Sequence, residues 1–318
     1  MYKLGIDLGG TNIVAGVVDE NYNIVATGKL KTNAPRPAEE IVDDMVKAVN
    51  IAVENAGLKL SDIDSMGVGT PGAIDPANGI VSYANNLDFY NVPVAKMLKE
   101  RTGADFYIEN DANAAAYGEF IAGAGKGTND FIAITLGTGV GGGIIIDKKI
   151  YSGSNYAGGE LGHTVISMGG EMCTCGRQGC WEAYASATAL IRQTKQAMIR
   201  YPKSVMWEMC ENDINKVNGK TAFDAMRKGD DAGKMVVDKY IEYIAVGISN
   251  NIIIFQPDVL CIGGGISKEG DTLINPIKAY FEGENYARNI DKKTEIKVAA
   301  LGNDAGIIGA AYLCNLYK

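Results

Sequence analysis

The segment DLGGTNIVAGVVD, residues 7–19, indicates the architecture of the protein, because a second segment of the chain repeats its pattern. That second stretch, residues 135–147, reads TLGTGVGGGIIID and lies 128 positions further along. Superposition aligns Leu8, Gly9 and Asp19 with identical residues, and both copies pass from a glycine turn into an apolar strand. The repeat predicts a duplicated domain, with two related lobes that face each other across a cleft.

The composition is typical of a soluble globular protein. The 318 residues are 47% hydrophobic and 21% charged, and this length suffices for two domains because single cores stop growing at about 250–300 residues. Forty glycines indicate many turns or close approaches to a ligand. A net charge of -8, without a cluster of Lys and Arg, argues against a nucleic-acid partner.

The sequence shows no pattern that predicts a membrane or secreted protein. The start, MYKLGIDLGG, is a short strand pattern without the basic region and apolar core that secretion requires. No apolar run approaches the ~20 residues that span a bilayer. We therefore expect a cytoplasmic protein with no membrane partner, in which the cysteines are reduced.

Strands and helices alternate along the chain in the pattern of an α/β protein. Strands are predicted at residues 2–8, 12–19, 24–31, 63–69, 105–108, 258–262 and 294–300. Helices are predicted at residues 38–56, 94–101, from 112 onward, 182–200, 232–255 and 304–316. The first three strands form a meander, and we expect the last helix to fold back onto the first lobe.

Three glycine turns are candidates for binding phosphate. DLGGT, LGTGVGGG and GGGIS each follow an apolar strand, where glycine lets backbone N–H groups approach an anion closely. Tight turns without a ligand are the alternative for any one of them. A P-loop is excluded because GxxxxGK[ST] is absent, and the first turn enters a strand, unlike a dinucleotide fingerprint.

In a phosphate site built from these turns, we expect Asp7 to hold a hydrated Mg²⁺ ion. Thr11 and Thr138 would donate hydroxyl hydrogen bonds to the phosphates, and GGGIS would lie beside the nucleoside. The glycines assigned to the nucleotide are Gly9, Gly10, Gly137, Gly139, Gly264 and Gly265. The turns resemble the phosphate and adenosine segments of the actin, hexokinase and Hsp70 ATPase superfamily, which implies ATP as the nucleotide.

The segment FYIENDANAAAYGEF, residues 106–120, places an acid between a strand and an Ala-rich helix. In open α/β sheets this edge commonly meets the ligand. Asp111 is therefore the candidate base that accepts a proton from an alcohol as the alcohol attacks a γ-phosphate. Helix capping is the alternative role for Asp111, and the two roles are compatible.

The chain's single histidine lies among three of its six cysteines. Three thiolates and one imidazole, from Cys173, Cys175, Cys180 and His163, satisfy the four positions of a closed, structural Zn²⁺ site. Reduced, unconnected cysteines beside a satisfied histidine are the alternative. A closed site of this kind braces a loop and does not activate water.

Residues 159–182, GELGHTVISMGGEMCTCGRQGCWE, resemble the signature of the ROK family (repressors, open reading frames and kinases) without a gap. The resemblance extends along the chain through DLGGT, GTPGAID from Gly69, END from Glu109, LGTGVGGG and GGGIS. It implies a duplicated actin-like/hexokinase (ribonuclease H-like) fold. The expected domains are a small lobe of residues 1–114 with 301–318, and a larger lobe of residues 115–300 that carries the zinc-binding insertion.

The resemblance also implies roles for individual residues. Asp111 would be the catalytic base. The sugar hydroxyls would bind Asn110, Asp111, Glu160, His163 and Glu182, and Gly72 and Asn86 would line the same pocket. One ring nitrogen of His163 would ligate zinc while the other contacts the sugar, so that the metal fixes the orientation of the imidazole.

The resulting hypothesis is an ATP-dependent glucokinase that phosphorylates the 6-hydroxyl of glucose, and the family suggests a homodimer or a tetramer. A ROK kinase for N-acetylmannosamine, N-acetylglucosamine, fructose or allose remains an alternative. A sugar-responsive repressor would carry an N-terminal DNA-binding module, for which we expect no room because DLGGT begins at residue 7. An actin-like or chaperone ATPase would leave the Cys and His cluster unexplained.

Overall fold

The computed structural model of the chain describes residues 1–284 and 286–317. Its strands are β1 Tyr2–Leu8, β2 Asn12–Val18, β3 Ile24–Lys31, β4 Ile63–Thr70, β5 Ala73–Asp75, β6 Ile80–Ala84, β7 Phe89–Val92, β8 Phe106–Asn110, β9 Phe131–Leu136, β10 Val140–Ile146, β11 Lys149–Ile150, β12 Val259–Gly263 and β13 Glu295–Val298. Its α-helices are α1 Ala38–Asn55, α2 Val94–Thr102, α3 Asp111–Ala122, α4 Glu182–Ala185, α5 Ala187–Arg200, α6 Met206–Met209, α7 Thr221–Arg227, α8 Asp231–Phe255, α9 Asp271–Glu284, α10 Ala305–Ala311 and α11 Cys314–Tyr317.

The first five-stranded sheet has the order β3-β2-β1-β4-β8. The meander β1-β2-β3 is antiparallel, whereas β4 runs parallel to both β1 and β8. In this register Asp7 lies opposite Gly69, and Gly69 lies opposite Glu109. The carboxyl ends of the three parallel strands therefore meet at one edge, where ligands bind in open α/β sheets.

The second five-stranded sheet repeats the topology of the first. Its order is β11-β10-β9-β12-β13. If the strands of each sheet are numbered one to five along the chain, both sheets have the spatial order 3-2-1-4-5. The turn between β1 and β2 in the first sheet corresponds to the turn between β9 and β10 in the second. The predicted duplication is confirmed by this shared order. A smaller antiparallel sheet, β5-β6-β7, follows β4.

Helix α1 illustrates how the sequence pattern builds the core. Its apolar residues recur every three or four positions and bury one face against β2 and β3. The buried residues of this face include Ile41, Val42, Met45 and Val49. Helix α10, near the end of the chain, returns to the first sheet and packs against α3 and β1.

The chain forms two compact units. One comprises Met1–Ala133, Gly142–Gly159 and Ala299–Lys318, and the other comprises Ile134–Gly141 and Glu160–Val298. The first unit therefore includes residues 115–133 and 142–159, which the expected division assigned to the larger lobe. The expected lobe boundaries stay a prediction.

Two predicted helices are each divided in the structure. The helix expected at residues 182–200 breaks at Ser186, whose extended backbone and side chain cap α5 by accepting a hydrogen bond from Ala189 N at 3.1 Å. The helix expected at residues 304–316 consists of α10 and α11. Among the helices of residues 1–284 and 286–317, none combines the length and apolarity that crossing a membrane requires.

Candidate functional site

Two carboxylates, Asp7 and Asp111, lie at the edge of the first sheet where the carboxyl ends of β1, β4 and β8 meet. Asp7 is near the end of β1, and Asp111 opens α3 directly after β8. Burial raises the pKa of Asp7 to about 6, and the nearby charge of Asp111 contributes to this rise. Burial also raises the pKa of Asp111, although the backbone N–H of Ala112 opposes the shift. Such a pair suits a hydrated divalent cation beside a general base.

Two adjacent residues at the start of α3, Asn110 and Asp111, make different hydrogen bonds. Asn110 is the N-cap, and its Oδ1 accepts hydrogen bonds from Ala112 N at 2.9 Å and Asn113 N at 3.2 Å. Asp111 is the first helical residue, with its Oδ1 2.9 Å from Ala112 N. The capping role considered for Asp111 therefore belongs to Asn110, and Asp111 is held at the helix N-terminus, where a negative charge is favoured.

The loop after β4 is tied to the same junction. Asn110 Nδ2 donates to Gly72 O at 3.0 Å. Gly72 has a φ of 107°, and a β-carbon there would lie 2.0 Å from Tyr83 O, so no other residue fits this position without rearrangement. The expected sugar residues Gly72, Asn110 and Asp111 are thus brought together within one unit.

The first glycine turn is closed by backbone contacts. Gly9 N donates to Asn12 O at 2.9 Å, and Thr32 Oγ1 donates to Gly9 O at 2.6 Å. Gly10 and Thr11 are exposed. Gly10 lies near Asn86, because a β-carbon added at Gly10 would be 3.7 Å from the Cβ of Asn86. Two hydrogen bonds hold the base of the turn and its tip is exposed, which suits the close approach of a phosphate.

The second glycine turn, residues 137–139, is anchored to the start of α5. Ala187 N donates to Gly137 O at 2.8 Å, and Thr188 Oγ1 donates to Thr138 O at 2.8 Å. A β-carbon added at Gly137 would meet no atom within 4 Å. The backbone of this turn is therefore fixed while one side of it stays open for a ligand.

The GGGIS turn lies against the strand that leads into residues 137–139. Gly264 has a φ of 85°, and a β-carbon there would lie 2.4 Å from Leu136 O. Gly265 begins a short 3-10 helix, and a β-carbon added there would meet no atom within 4 Å. The structure thus brings the second and third predicted nucleotide turns together within the second unit.

The four expected metal ligands converge. One donor atom from each of His163, Cys173, Cys175 and Cys180 lies within 4.8 Å of all the others. Cys173 Sγ is 3.6 Å from His163 Nδ1, and Cys175 Sγ is 3.7 Å from Cys180 Sγ. A tetrahedral Zn²⁺ ion with bonds of about 2.3 Å to sulfur and about 2.0 Å to nitrogen gives S···N and S···S edges of about 3.5 and 3.8 Å. The cluster can therefore hold a zinc ion through Nδ1 of the histidine.

The two glutamates of the ROK-like segment differ in environment. Glu182 is half-buried, and its Oε2 accepts from Val140 N at 3.0 Å while its Oε1 accepts from Thr174 Oγ1 at 3.1 Å. Glu160 is exposed, and its carbonyl accepts from His163 N at 3.0 Å in a single 3-10 turn. Glu182 therefore connects the Cys and His cluster to the second glycine turn.

One residue of the END segment was left without a role by sequence reasoning. Glu109 is only 2% exposed, and its carboxylate accepts hydrogen bonds from Asn110 N, Asn113 Nδ2 and Tyr317 Oη. Its position beside Asn110 and Asp111 was a local signal that could have identified it. Tyr317 offers no such signal, because 208 positions separate it from Glu109.

Comparisons with known proteins agree on one family. Residues 3–316 match the ROK family. The chain is 38% identical over 315 residues to a glucokinase of Streptomyces coelicolor, and the aligned region covers 98% of this chain and 96% of that protein. A solved ROK family glucokinase from Streptomyces griseus, in complex with glucose and AMPPNP, is 37% identical with a TM-score of 0.81 and coverages of 98% and 99%. A ROK hexokinase from Thermus thermophilus is 30% identical with a TM-score of 0.79 and coverages of 98% and 97%.

Proposed function

This chain belongs to the ROK family, and on that premise we propose that it phosphorylates glucose at the 6-hydroxyl with ATP as the phosphoryl donor. The predicted family and the predicted actin-like/hexokinase fold are confirmed. The chain is an ATP-dependent hexokinase. The identity of the sugar, the hydroxyl that reacts and the roles of individual residues constitute the proposal.

The observation that carries the proposal is the pair of carboxylates at the end of β1 and the start of α3. Asp111, with a pKa raised by burial, would accept the proton of the sugar 6-hydroxyl as its oxygen attacks the γ-phosphorus of ATP. Asp7 would hold Mg²⁺ through its hydration shell. When bound, Mg²⁺ supplies neutralisation of the charge on the phosphate oxygens.

The glycine turns would bind the phosphates and the nucleoside. Backbone N–H groups of the two equivalent turns, with the hydroxyls of Thr11 and Thr138, would donate to phosphate oxygens. The open faces of Gly137 and Gly265 support this role, because a β-carbon at either would meet no atom within 4 Å. The residues proposed for the nucleotide are Asp7, Gly9, Gly10, Thr11, Gly137, Thr138, Gly139, Gly264 and Gly265.

The sugar would be recognised by hydroxyl-binding side chains supported by a structural zinc ion. His163 offers Nδ1 to the cysteine cluster, so Nε2 is the nitrogen that would hydrogen-bond the sugar. Carboxylates of Glu160 and Glu182 would accept from sugar hydroxyls. The full proposed set is Gly72, Asn86, Asn110, Asp111, Glu160, His163 and Glu182. The zinc ligands would be His163, Cys173, Cys175 and Cys180.

A ROK kinase for N-acetylmannosamine, N-acetylglucosamine, fructose or allose is the second candidate, and the substrate preference of the enzyme distinguishes it from a glucokinase. The cytoplasmic location and the homodimer or tetramer also stay predictions.

The decisive experiment is a coupled assay of ADP release with ATP and Mg²⁺ against glucose, mannose, fructose, allose, N-acetylglucosamine and N-acetylmannosamine. We expect the largest kcat/KM for glucose, with the 6-phosphate identified by NMR. A preference for an acetamido sugar would replace the substrate, and a product phosphorylated elsewhere would contradict the assigned hydroxyl. Absence of turnover on every sugar would contradict the kinase assignment.

A further inference from the structure

Glu109 is a buried carboxylate whose hydrogen-bond partners are neutral. Oε1 accepts from Asn110 N at 2.7 Å and from Asn113 Nδ2 at 3.1 Å, and Oε2 accepts from Tyr317 Oη at 2.5 Å. Burying a carboxylate is unfavourable unless its oxygens receive hydrogen bonds. These three donors therefore define the position of Glu109 at the end of β8.

Of the three residues that donate hydrogen bonds to Glu109, Tyr317 is the one that is distant in the sequence. Tyr317 lies in α11, and its ring stacks on that of Tyr107 with the centroids 6.5 Å apart. The separation of 2.5 Å is that of a short hydrogen bond between a hydroxyl and a carboxylate oxygen. Burial and the charge of Glu109 together raise the pKa of Tyr317, so its hydroxyl stays protonated as the donor.

The two acceptor oxygens of Glu109 face different elements. Through Oε1, the carboxylate holds the backbone of Asn110, the N-cap of α3, and the side chain of Asn113 one turn later. Through Oε2, it is held by the C-terminal helix. Asp111 follows the held backbone N–H directly, so a rotation of the Glu109 carboxylate changes the orientation of the residue that is proposed to accept the proton.

We propose that Glu109 and Tyr317 are positioning residues for Asp111, and that the C-terminal helix thereby completes the catalytic junction. This inference rests on the proposed function, since it assigns the pair to the geometry of the proposed base. Neither residue touches the reacting atoms. Their effect arises because small displacements of a catalytic group reduce rates strongly, by roughly 100-fold for a displacement of about 1 Å.

The first test compares Tyr317→Phe with Tyr312→Phe. Tyr312 is the control, because it lies in the same C-terminal region and donates its hydroxyl to Asp19 O at 2.8 Å, away from the END segment. Tyr317→Phe should lower kcat roughly 10-fold or more, as expected for loss of a hydrogen bond to a charged group. The dissociation constant of the sugar should change by a smaller factor than kcat, because the proposed sugar contacts also include residues outside the END segment, and Tyr312→Phe should retain the wild-type kcat.

A second variant separates positioning from general stability. Glu109→Gln keeps an acceptor for Asn110 N and an N–H group that can donate to Tyr317 Oη, whereas Glu109→Ala removes both. We expect Glu109→Gln to recover most of the kcat that Glu109→Ala loses. Adding Tyr317→Phe to Glu109→Ala should lower kcat little further, because the pair acts as one unit. Additive losses would overturn the proposed coupling.

Hydrogen exchange of the peptide 106–120 supplies a readout that does not depend on the substrate. Tyr317→Phe should increase exchange of the amides at the start of α3, whereas Tyr312→Phe should not. Unchanged protection in Tyr317→Phe would overturn the inference even in a chain with full kinase activity. Conversely, altered protection in a chain that phosphorylates no sugar would retain the positioning contact and contradict the proposed function alone.

Discussion

Glu182 lies so close to Gly139 that a β-carbon added at residue 139 would stand 2.3 Å from Glu182 Oε2. The same oxygen accepts the backbone N–H of Val140 at 3.0 Å. A carboxylate proposed to bind the sugar is therefore also part of the framework of a turn proposed to bind phosphate. The missing side chain at residue 139 is what permits this contact.

The substitution Gly139→Ala should displace Glu182 and weaken sugar binding. The clash is with the end of a flexible side chain, so the fold can adapt, but the hydrogen bond from Val140 N is lost. A hydrogen bond from a sugar hydroxyl to the Glu182 carboxylate would contribute about 1.5–3 kcal/mol, so its loss on displacement of Glu182 should lower glucose affinity about 10-fold or more. Isothermal titration calorimetry with glucose, without nucleotide, measures this change.

The matched control is Gly137→Ala in the same turn. Its β-carbon would meet no atom within 4 Å, so the protein should retain its melting temperature and its glucose affinity in the absence of nucleotide. Equal loss of glucose affinity in the two variants would show that any side chain in the turn disturbs the sugar site, and would contradict a specific contact between Gly139 and Glu182.

Asp7 should make stability depend on pH in a direction opposite to that of most carboxylates. Its pKa is about 6 in the folded chain and 3.8 ordinarily, so between these values the folded chain keeps a proton that the unfolded chain has released. The contribution of Asp7 to the free energy of unfolding is therefore fully present below pH 4 and is lost as the pH rises through 6. At 1.36 kcal/mol per pKa unit, the loss is about 3 kcal/mol. Asp7→Asn should therefore be more stable than the wild type at pH 8 but not at pH 4.

Urea unfolding at the two pH values measures this difference. Asp19 is the contrasting control, because hydrogen bonds from Asn23 and Asn21 lower its pKa. Its contribution is present above pH 4 and lost as pH falls, so Asp19→Asn should be less stable than the wild type at pH 8. If the effect of Asp7→Asn were the same at both pH values, the buried carboxylate would not be the cause.

Asp111→Asn should abolish turnover while sugar binding persists. A general base contributes roughly 10²–10⁴-fold to a rate, and the amide cannot accept the proton. In the wild type, kcat/KM should rise with pH through the raised pKa of Asp111, because only the ionised carboxylate accepts a proton. Steady-state kinetics from pH 4 to 8, with calorimetry for sugar binding, test both points, and wild-type rates in Asp111→Asn would exclude it as the base.

Local patterns account for what the sequence predicted well. The first three strands start at the expected residues, and α1 and α8 differ from expectation by one residue at an end, because apolar periodicity and turn glycines act over a few neighbouring residues. The convergence of His163 with three cysteines was also predictable, since three of the four ligands fall within eight positions. Short spacing leaves few alternative arrangements.

Contacts between distant segments could not be read from the sequence. Tyr317 and Glu109 meet because α10 and α11 return to the first sheet, and no local pattern determines which side chain of a returning helix reaches a buried acid. The proximity of Glu182 to Gly139 likewise depends on tertiary packing. The break at Ser186 was different, because a serine that can cap a helix was visible within the apolar pattern.

The proposed zinc ion should be required for sugar binding but not for ATP binding by the glycine turns. Cys175 is exposed, so Cys175→Ser removes a ligand with little effect on packing. Zinc content, measured by mass spectrometry of the purified protein, should fall from one ion per chain to well below one. Glucose affinity should fall with it, because His163 loses the bond that orients its ring, while ATP affinity should be retained.

Cys210→Ala is the control for the loss of a thiol. Cys210 is buried in the same compact unit but lies outside the cluster, with its Sγ 4.0 Å from Thr221 Oγ1. This variant should keep its zinc and its glucose affinity even if it is less stable, because removing a buried side chain of this size affects packing alone. Cys175→Ser protein that lost zinc but bound glucose as the wild type does would separate the metal from sugar recognition, and the cluster would then serve only to brace the loop from His163 to Cys180.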